Sequence, residues 1–272
     1  MELFGLIGEK LGHSLSPEIH ESLFEKVNID GKYNLFSIKR ENIKNAVESL
    51  KTLGIKGANV TIPYKEEVIP QLDYISDEAK KIGAINTIFI KDNKSYGYNT
   101  DYYGFKEMLL KDNVEIEGKV FYVLGSGGAS KAIVYCLLDA KASKVVLVSR
   151  DKQSAKEKFN NNDIDFINYD ELENIEKAYA VINTTPCGMY PSIETTAIDK
   201  SIFENFEVAC DIVYNPEETR FLREAKEKGL KTVTGLYMLV AQAMKAEEIW
   251  NDFKVDKKIE IDIYEKLREK FI

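Results

Sequence analysis

The chain has 272 residues, enough for a large core and for two domains, and its composition is that of an ordinary globular protein, 44% hydrophobic and 30% charged. Its formal net charge is −8, and no Lys/Arg block is long enough to follow a phosphate backbone, which argues against a nucleic-acid partner. No apolar run is long enough to span a bilayer, the short start Met1 to Gly8 lacks the basic flank of a signal peptide, and Cys136, Cys187 and Cys210 are scattered without metal-ligand spacing, so the reading is a cytoplasmic chain with no disulfide framework, no membrane partner and no metal.

Glu2 to Ile7 reads as a first strand, followed by a loop from Gly8 to Pro17. Pro17 can open a helix with its apolar face at Ile19, Leu23, Phe24 and Val27, and Ser16 then reads either as its N-cap or as a ligand contact. Ser14 has no such local role. Two hydroxyls one residue apart on a loop leaving a strand can hydrogen-bond a polyol or a carboxylate. His13 and His20 are the only histidines; a metal site would need further ligands nearby, so both read as structural.

Lys32 to Ile38 reads as a strand and Glu41 to Leu53 as a helix facing inward with Ile43, Ala46, Val47 and Leu50, closed by Gly54. In a strand from Gly57 to Ile62, Asn59 and Thr61 share one face and Val60 and Ile62 the other. Pro63 fits the first position of a new helix, placing Lys65 in a first turn whose dipole suits Glu66 and Glu67 but opposes a cation. A charge so misplaced beside a polar strand face reads as functional. Ile82 to Ile90 follows as turn and strand, and a hairpin through Lys91 to Gly97 returns into Tyr98 to Asp101. Asn86 and Asp101 stand where apolar strands break into polar residues. Turn chemistry explains either alone; together with Lys65 they offer what carbonyl reduction needs, a proton donor, a carboxylate to orient it and an amide to fix hydroxyls.

From Tyr102 the pattern is helical through Leu109, and a domain boundary falls here. The β-forming run Lys119 to Leu124 stops at Gly125, and from Gly128 the residues Ala129, Ala132, Ile133, Cys136 and Leu137 recur at helical spacing. Strand, glycine turn and helix in this order aim free N–H groups at an anion, typically a pyrophosphate. Lys144 to Ser149 reads as the next parallel strand. Arg150 at its end suits a 2′-phosphate, whereas Asp151 would repel one. Beyond it come a helix from Lys152 to Asn160, a short strand near Phe166, a strand Ala178 to Asn183 running into the loop Thr184 to Pro191, and a strand Glu207 to Tyr214. Asn215-Pro216-Glu217 opens a helix, Lys231 to Gly235 is a last strand, and two helices follow, Leu236 to Trp250 and Lys257 to Phe271. The first of these is apolar over most of its surface, so Gln242 within it needs a reason. The alternation of strand and helix predicts an α/β fold with a doubly wound sheet.

These stretches together resemble the shikimate dehydrogenase family, which includes shikimate/quinate dehydrogenases, and they do so nearly end to end. The matching pieces are His13 to Pro17, Asn59 to Lys65, Gly83 to Thr87, Asn99 to Asp101, Gly125 to Ala129, Asn183 to Met189, Asp211 to Pro216 and Gly235 to Gln242. The glycine turn is shared with many dehydrogenases; the serine pair, the Asn59 to Lys65 stretch and Asn99-Thr100-Asp101 in this order are specific. The resemblance implies two domains: an α/β substrate-binding domain at 1–101, to which the C-terminal helices 236–272 return, and a Rossmann-like doubly wound dinucleotide-binding domain at 102–235. It implies a catalytic pair at Lys65 and Asp101, carboxylate contacts at Ser14 and Ser16, and ring-hydroxyl contacts at Thr61, Asn86 and Gln242, with Asn59 supporting them. Gly125, Ser126, Gly127, Gly128 and Ala129 would hold the pyrophosphate, Arg150 the adenosine phosphate, and Met189, Tyr214 and Gly235 would lie around the nicotinamide.

The implied reaction is the NADPH-dependent reduction of 3-dehydroshikimate to shikimate, by a monomer or homodimer acting on a small molecule. Lys65 would neutralise the developing oxyanion, and which of Lys65 and Asp101 carries the proton stays open. Asp151 keeps a second reading in play, a quinate/shikimate dehydrogenase that also uses NAD. A third reading is a non-catalytic shikimate-binding regulator, against which an intact Lys65 and Asp101 weigh.

Overall fold

The apolar run Leu3 to Ile7 forms the first strand of a computed structural model that describes residues 1–12 and 14–271; His13 lies outside the described residues. In chain order the first elements are β1 (Glu2–Gly8), α1 (Ser16–Val27), β2 (Gly31–Ser37), α2 (Ala46–Thr52), β3 (Ile55–Val60), β4 (Tyr74–Ile75), α3 (Asp77–Ile82), β5 (Thr87–Lys91), β6 (Lys94–Tyr98) and α4 (Thr100–Lys111). There follow β7 (Val120–Leu124), α5 (Gly128–Asp139), β8 (Lys144–Val148), α6 (Lys152–Phe159), β9 (Ile164–Ile167), β10 (Ala180–Asn183), β11 (Val208–Asp211), α7 (Arg220–Glu227), β12 (Lys231–Val233), α8 (Leu236–Asn251) and α9 (Lys257–Arg268). The chain divides into two units, Met1–Gly104 with Val240–Leu267, and Phe105–Leu239 with the chain end from Arg268. Among the described residues no helix is long and apolar enough to cross a membrane.

The first unit is built on a six-stranded sheet of order β2-β1-β3-β5-β6-β4. β1 runs parallel to β2 and β3, whereas β5 is antiparallel to both β3 and β6. The ends of β1, β3 and β6 and the beginning of β5 therefore share one edge of the sheet. Successive side chains of a strand point to opposite faces, and both faces are covered. Ile7, Ala58, Val60 and Ile88 pack with Val47 and Leu50 of α2, while Phe4 and Leu6 pack with Phe24 of α1 and Ala246 and Trp250 of α8.

The second unit is a six-stranded sheet of order β12-β11-β10-β7-β8-β9, parallel throughout. Strand order reverses between β7 and β10, and the carboxyl ends of two strands that diverge in this way open a crevice where ligands of open α/β sheets bind. Tyr122, Leu124, Val146 and Val148 face Phe203, Phe221 and Leu222 in its core.

Several local expectations change. No α-helix opens at Pro63: residues 62–68 are consecutive turns that lead into a short 3-10 turn at Ile69–Gln71. Proline suits the first helical position and a turn equally well, and the contact of Lys65 with an acid described below replaces the dipole argument. Ser16 is the first residue of α1 and not its cap, which falls on Leu15 without a side-chain bond. The helix expected at Asn215-Pro216-Glu217 begins only at Arg220, capped by Thr219, whose side chain accepts from Leu222 N. Helix α4 starts at Thr100, so Asp101 lies in its first turn. The elements β4 and α3 go beyond those predicted, although α3 carries a readable signal: Ser76 caps it, Asp77 and Glu78 open it, Lys80 and Lys81 close it, and Gly83 takes the left-handed conformation at φ 70°.

Gly57 on β3 lies against the indole of Trp250, and a Cβ there would come within 2.4 Å of that ring's atoms. The indole cannot swing away freely, because its Nε1 donates to the Ile88 carbonyl at 2.9 Å. Gly57→Ala is expected to lower unfolding free energy by about 1–3 kcal/mol, the usual cost of overpacking, as read by urea denaturation followed by circular dichroism.

Candidate active site

Among the described residues, the edge shared by β1, β3, β5 and β6 carries Ser14, Ser16, Thr61, Lys65, Asn86 and Asp101. After β1, Ser14 is fixed by its N–H, which donates to the Leu11 carbonyl at 3.0 Å. Its Oγ accepts from the Ser16 N–H at 3.2 Å, doing for α1 what the cap residue does not, and its hydroxyl donates to Ser16 Oγ at 3.1 Å. After β3, Thr61 is held by its backbone, the N–H donating to the Ile7 carbonyl at 2.9 Å. The following turns bring Lys65 back to the sheet, where its carbonyl accepts from the Ile85 N–H at 2.7 Å.

Lys65 Nζ pairs with Asp101 Oδ2, and the two side chains are only 12% and 10% exposed. Asp101 enters from β6: the Asn99 side chain accepts the Asp101 N–H at 3.1 Å while its amide donates to the Ala84 carbonyl at 2.8 Å. A carboxylate in the first turn of α4 is also favoured by the helix dipole. The second carboxylate oxygen, Oδ1, accepts from Asn86 Nδ2 at 2.9 Å. Asn86 cannot be flipped, because its Oδ1 takes the Thr100 N–H at 2.7 Å, which forces the amine end toward the acid. Gln242 of α8 joins here, its Oε1 accepting from Thr100 Oγ1 at 3.3 Å and lying 3.5 Å from Asn86 Nδ2. An acid and an ammonium oriented in this way, beside amides and hydroxyls, can hold a polyol and deliver a proton to an oxygen that is becoming negative.

Asn59 and Thr87, both within the motifs, extend this shell, whereas Tyr33, His20 and Glu247 escape a reading of motifs. Asn59 Nδ2 donates to Thr87 Oγ1 at 3.1 Å and Thr87 Oγ1 donates to Asn86 Oδ1 at 3.0 Å. Tyr33 of β2 donates its hydroxyl to Asn59 Oδ1 at 2.7 Å. His20 pairs with Glu247 across 227 positions of sequence, both side chains fully buried, and burial pushes the Glu247 carboxyl up.

In the second unit the turn after β7 has the shape its glycines require. Gly125 adopts φ +102° with Thr184 and Thr185 pressed against it, and Gly127 caps α5 without a side-chain bond. A Cβ on Gly127 would meet nothing within 4 Å, and the free N–H groups of a helix start such as that of α5 are a donor set that fits a pyrophosphate. After β8 an open cavity of about 540 Å³ is lined by Arg150, Asp151, Lys152, Gln153 and Asn168. Arg150 is exposed there. Asp151 caps α6, its Oδ1 accepting from the Ser154 N–H at 2.9 Å, and Lys152 is turned to Glu171 at 3.1 Å. A cavity lined by an exposed arginine has the chemistry to take an anionic end of a dinucleotide. Met189 is exposed on the loop after β10, which is tied to the loop after β11 by the Tyr190 N–H donating to the Asn215 carbonyl at 3.0 Å. Tyr214 is half-buried, and Gly235 is a glycine because the Ile212 backbone lies where a Cβ would be.

Residues 6–88 match the shikimate dehydrogenase substrate binding domain. Over 271 residues, 100% of each chain, the protein is 63% identical to a shikimate dehydrogenase (NADP(+)) of Clostridium perfringens. The chain belongs to the shikimate dehydrogenase family. Crystal structures agree with this: shikimate dehydrogenase 1 from Peptoclostridium difficile matches at a TM-score of 0.92 and 45% identity over 100% of both chains. The shikimate 5-dehydrogenase of Thermus thermophilus, in complex with NADP(H) and shikimate, matches at 0.86 and 31% identity over 98% of this chain and 99% of that one.

Within this shikimate dehydrogenase fold, one buried acid is held by neutral donors. Asp211, at the end of β11, accepts from Asn183 Nδ2 and the Val213 N–H at 3.0 Å each and from Thr219 Oγ1 at 2.6 Å. Burial pushes its carboxyl up to about 7 against these three bonds. An acid whose folded pKa is raised binds more protons folded than unfolded, so its contribution to stability is full at low pH and lost as pH rises toward 7. Asp211→Asn removes that dependence. Relative to the parent, the variant is expected to gain stability between pH 5 and pH 8, by on the order of 1–2 kcal/mol, in urea titrations at each pH.

Proposed function

We propose that the chain catalyses the reversible reduction of 3-dehydroshikimate to shikimate with NADPH, a step of chorismate and aromatic amino acid biosynthesis. The observation that carries this reading is the buried Lys65–Asp101 pair, oriented by Asn86 on the edge that also bears the serine pair. In this reading Ser14 and Ser16 receive the substrate carboxylate, and Thr61, Asn86 and Gln242 join the pair around the ring hydroxyls. NADPH supplies the hydride when bound. The carbonyl carbon gains that hydride and its oxygen gains a proton from the Lys65–Asp101 pair, with the ammonium stabilising the negative charge as it forms. The backbone from Gly125 to Ala129 receives the pyrophosphate, Arg150 the 2′-phosphate, and Met189, Tyr214 and Gly235 border the nicotinamide. Residues 1–101 with 236–272 then form the substrate-binding domain and 102–235 the NADP-binding domain. A cytoplasmic monomer or homodimer completes the reading, and Cys136, Cys187 and Cys210, none of which forms a disulfide, suit a reducing compartment.

The test is NADPH absorbance with shikimate and NADP+ as substrates. Lys65→Ala is expected to lower kcat by about 10²–10⁴-fold, the range of a lost general acid–base, with nucleotide affinity unchanged. Equal turnover of quinate with NAD+ would move the protein to a relaxed quinate/shikimate dehydrogenase. Shikimate binding without turnover would make it a regulator.

Asp151 gives the relaxed reading its one structural support, since its carboxylate lines the same cavity as Arg150. Asparagine caps a helix as well as aspartate does, so Asp151→Asn removes the charge and keeps α6 in place. The KM for NADP+ is expected to fall about 3- to 10-fold and that for NAD+ to stay, because at close range a carboxylate acts on the 2′-phosphate and not on a free hydroxyl.

A further inference from the structure

Lys65 and Asp101 stand 36 positions apart in sequence, yet the main chains of both are tied to one peptide group. The Ile85 N–H donates to the Lys65 carbonyl at 2.7 Å. The Ala84 carbonyl, the other end of the same peptide, accepts from Asn99 Nδ2 at 2.8 Å, and Asn99 Oδ1 accepts the Asp101 N–H at 3.1 Å. A peptide group is planar and stiff, so its N–H and C=O keep a fixed spacing. Lys65 and Asp101 are thus gauged against the same rigid unit, one directly and the other through a single side chain. The next residue, Asn86, adds its own amide to Asp101 Oδ1 at 2.9 Å.

Asn99 fits this place for a reason that helix capping does not supply. It is 3% exposed and Ala84 is fully buried, so water does not stand in for either bond. The orientation of its amide is fixed at both ends, because a flip would set its amine against the Asp101 N–H and its oxygen against the Ala84 carbonyl. Ahead of a helix, serine and aspartate serve about as well as asparagine. Neither can donate to the Ala84 carbonyl while accepting from Asp101: serine is too short to span the two, and an ionised carboxylate has no proton to give.

We propose that Asn99 is a positioning residue for the Lys65–Asp101 pair: its amide sets the spacing between the Asp101 main chain and the peptide that holds Lys65, so that ammonium and carboxylate meet in one geometry. What that pair does rests on the dehydrogenase reading given above. Asn99 acts through Asp101, so its effect belongs in the chemical step more than in substrate affinity.

The experiment compares Asn99→Asp and Asn99→Ser, which keep an acceptor ahead of α4 and lose the donor, after circular dichroism has shown that each is folded. In shikimate oxidation by NADP+ both are expected to lower kcat about 10- to 50-fold and to change KM less than about threefold, since a misplacement of about 1 Å costs on the order of 10²-fold. In an Asp101→Asn background neither is expected to lower kcat further. A role in capping alone would leave kcat in place in both variants, and a general loosening of the fold would multiply with the effect of Asp101→Asn. Either result overturns the proposal. The Lys65 ammonium resonance in ¹⁵N NMR, identified as the one that Lys65→Arg removes, reads the pair without turnover. It is expected in the parent and is expected to shift or broaden in both variants; a resonance unchanged in the variants, or absent from the parent, overturns the proposal as well. A parent that does not oxidise shikimate would thus end the dehydrogenase reading while the resonance still decides the role of Asn99.

Discussion

An ammonium and a carboxylate that are each nearly withdrawn from water persist as charges only in each other's company, and the Lys65–Asp101 pair imposes this condition on the first unit. Removing either partner strands the other in a medium that cannot solvate it, so the elements supplying them must be registered against each other. The sheet does this through direction. β3 and β6 are both antiparallel to β5, so the chain leaves β3 toward Lys65 and leaves β6 toward Asp101 on the edge where Asn86 enters β5. β1, parallel to β3, adds the serine loop to the same edge. Four separate stretches of sequence converge because strand polarity leaves them no other end of the sheet.

In the proposed reading the second unit meets a different demand, an anion with no rigid counter-charge in its glycine turn. Gly125 and Gly127 answer it with main chain alone, through a left-handed residue and an uncapped helix start. Side-chain charge enters only after β8, and there it is finely balanced: Arg150 faces the cavity, Asp151 divides its carboxylate between the cavity and a helix cap, and Lys152 is drawn off by Glu171. In the proposed reading, choice between the two nicotinamide dinucleotides rests on that balance more than on the fold.

The central strands of the two sheets, β1, β7, β8 and β10, are legible in sequence because they are largely apolar runs, and Gly125 to Ala129 is legible because a glycine turn between strand and helix has few other uses. Ser14, Lys65 and Asp101 stand out through motif and order. The dipole argument for Lys65 nevertheless fails: Pro63 signals the start of a helix and the start of a turn with the same fixed φ, and only the distant Asp101 decides between them. Ser16 and Asn215-Pro216 mislead in the same manner, each offering a local helix signal that a neighbour overrides. Tyr33, His20 and Glu247 are illegible as a group. Each alone reads as an amphipathic residue at a core position, and their meaning lies in contacts across as many as 227 residues.

The chain contains one tryptophan, Trp250, and it is 1% exposed, stacked on Phe4 with ring centroids 5.2 Å apart and facing His20 at 5.5 Å. Light absorbed by indole alone therefore excites a single buried chromophore in the first unit, next to an imidazole able to quench it. Its emission is a built-in gauge of the packing of α1 and α8 beneath the serine pair and Gln242. The second unit, which has no indole of its own, stays dark at those wavelengths, so the melting of one half of the molecule can be followed without a label and without interference from the other.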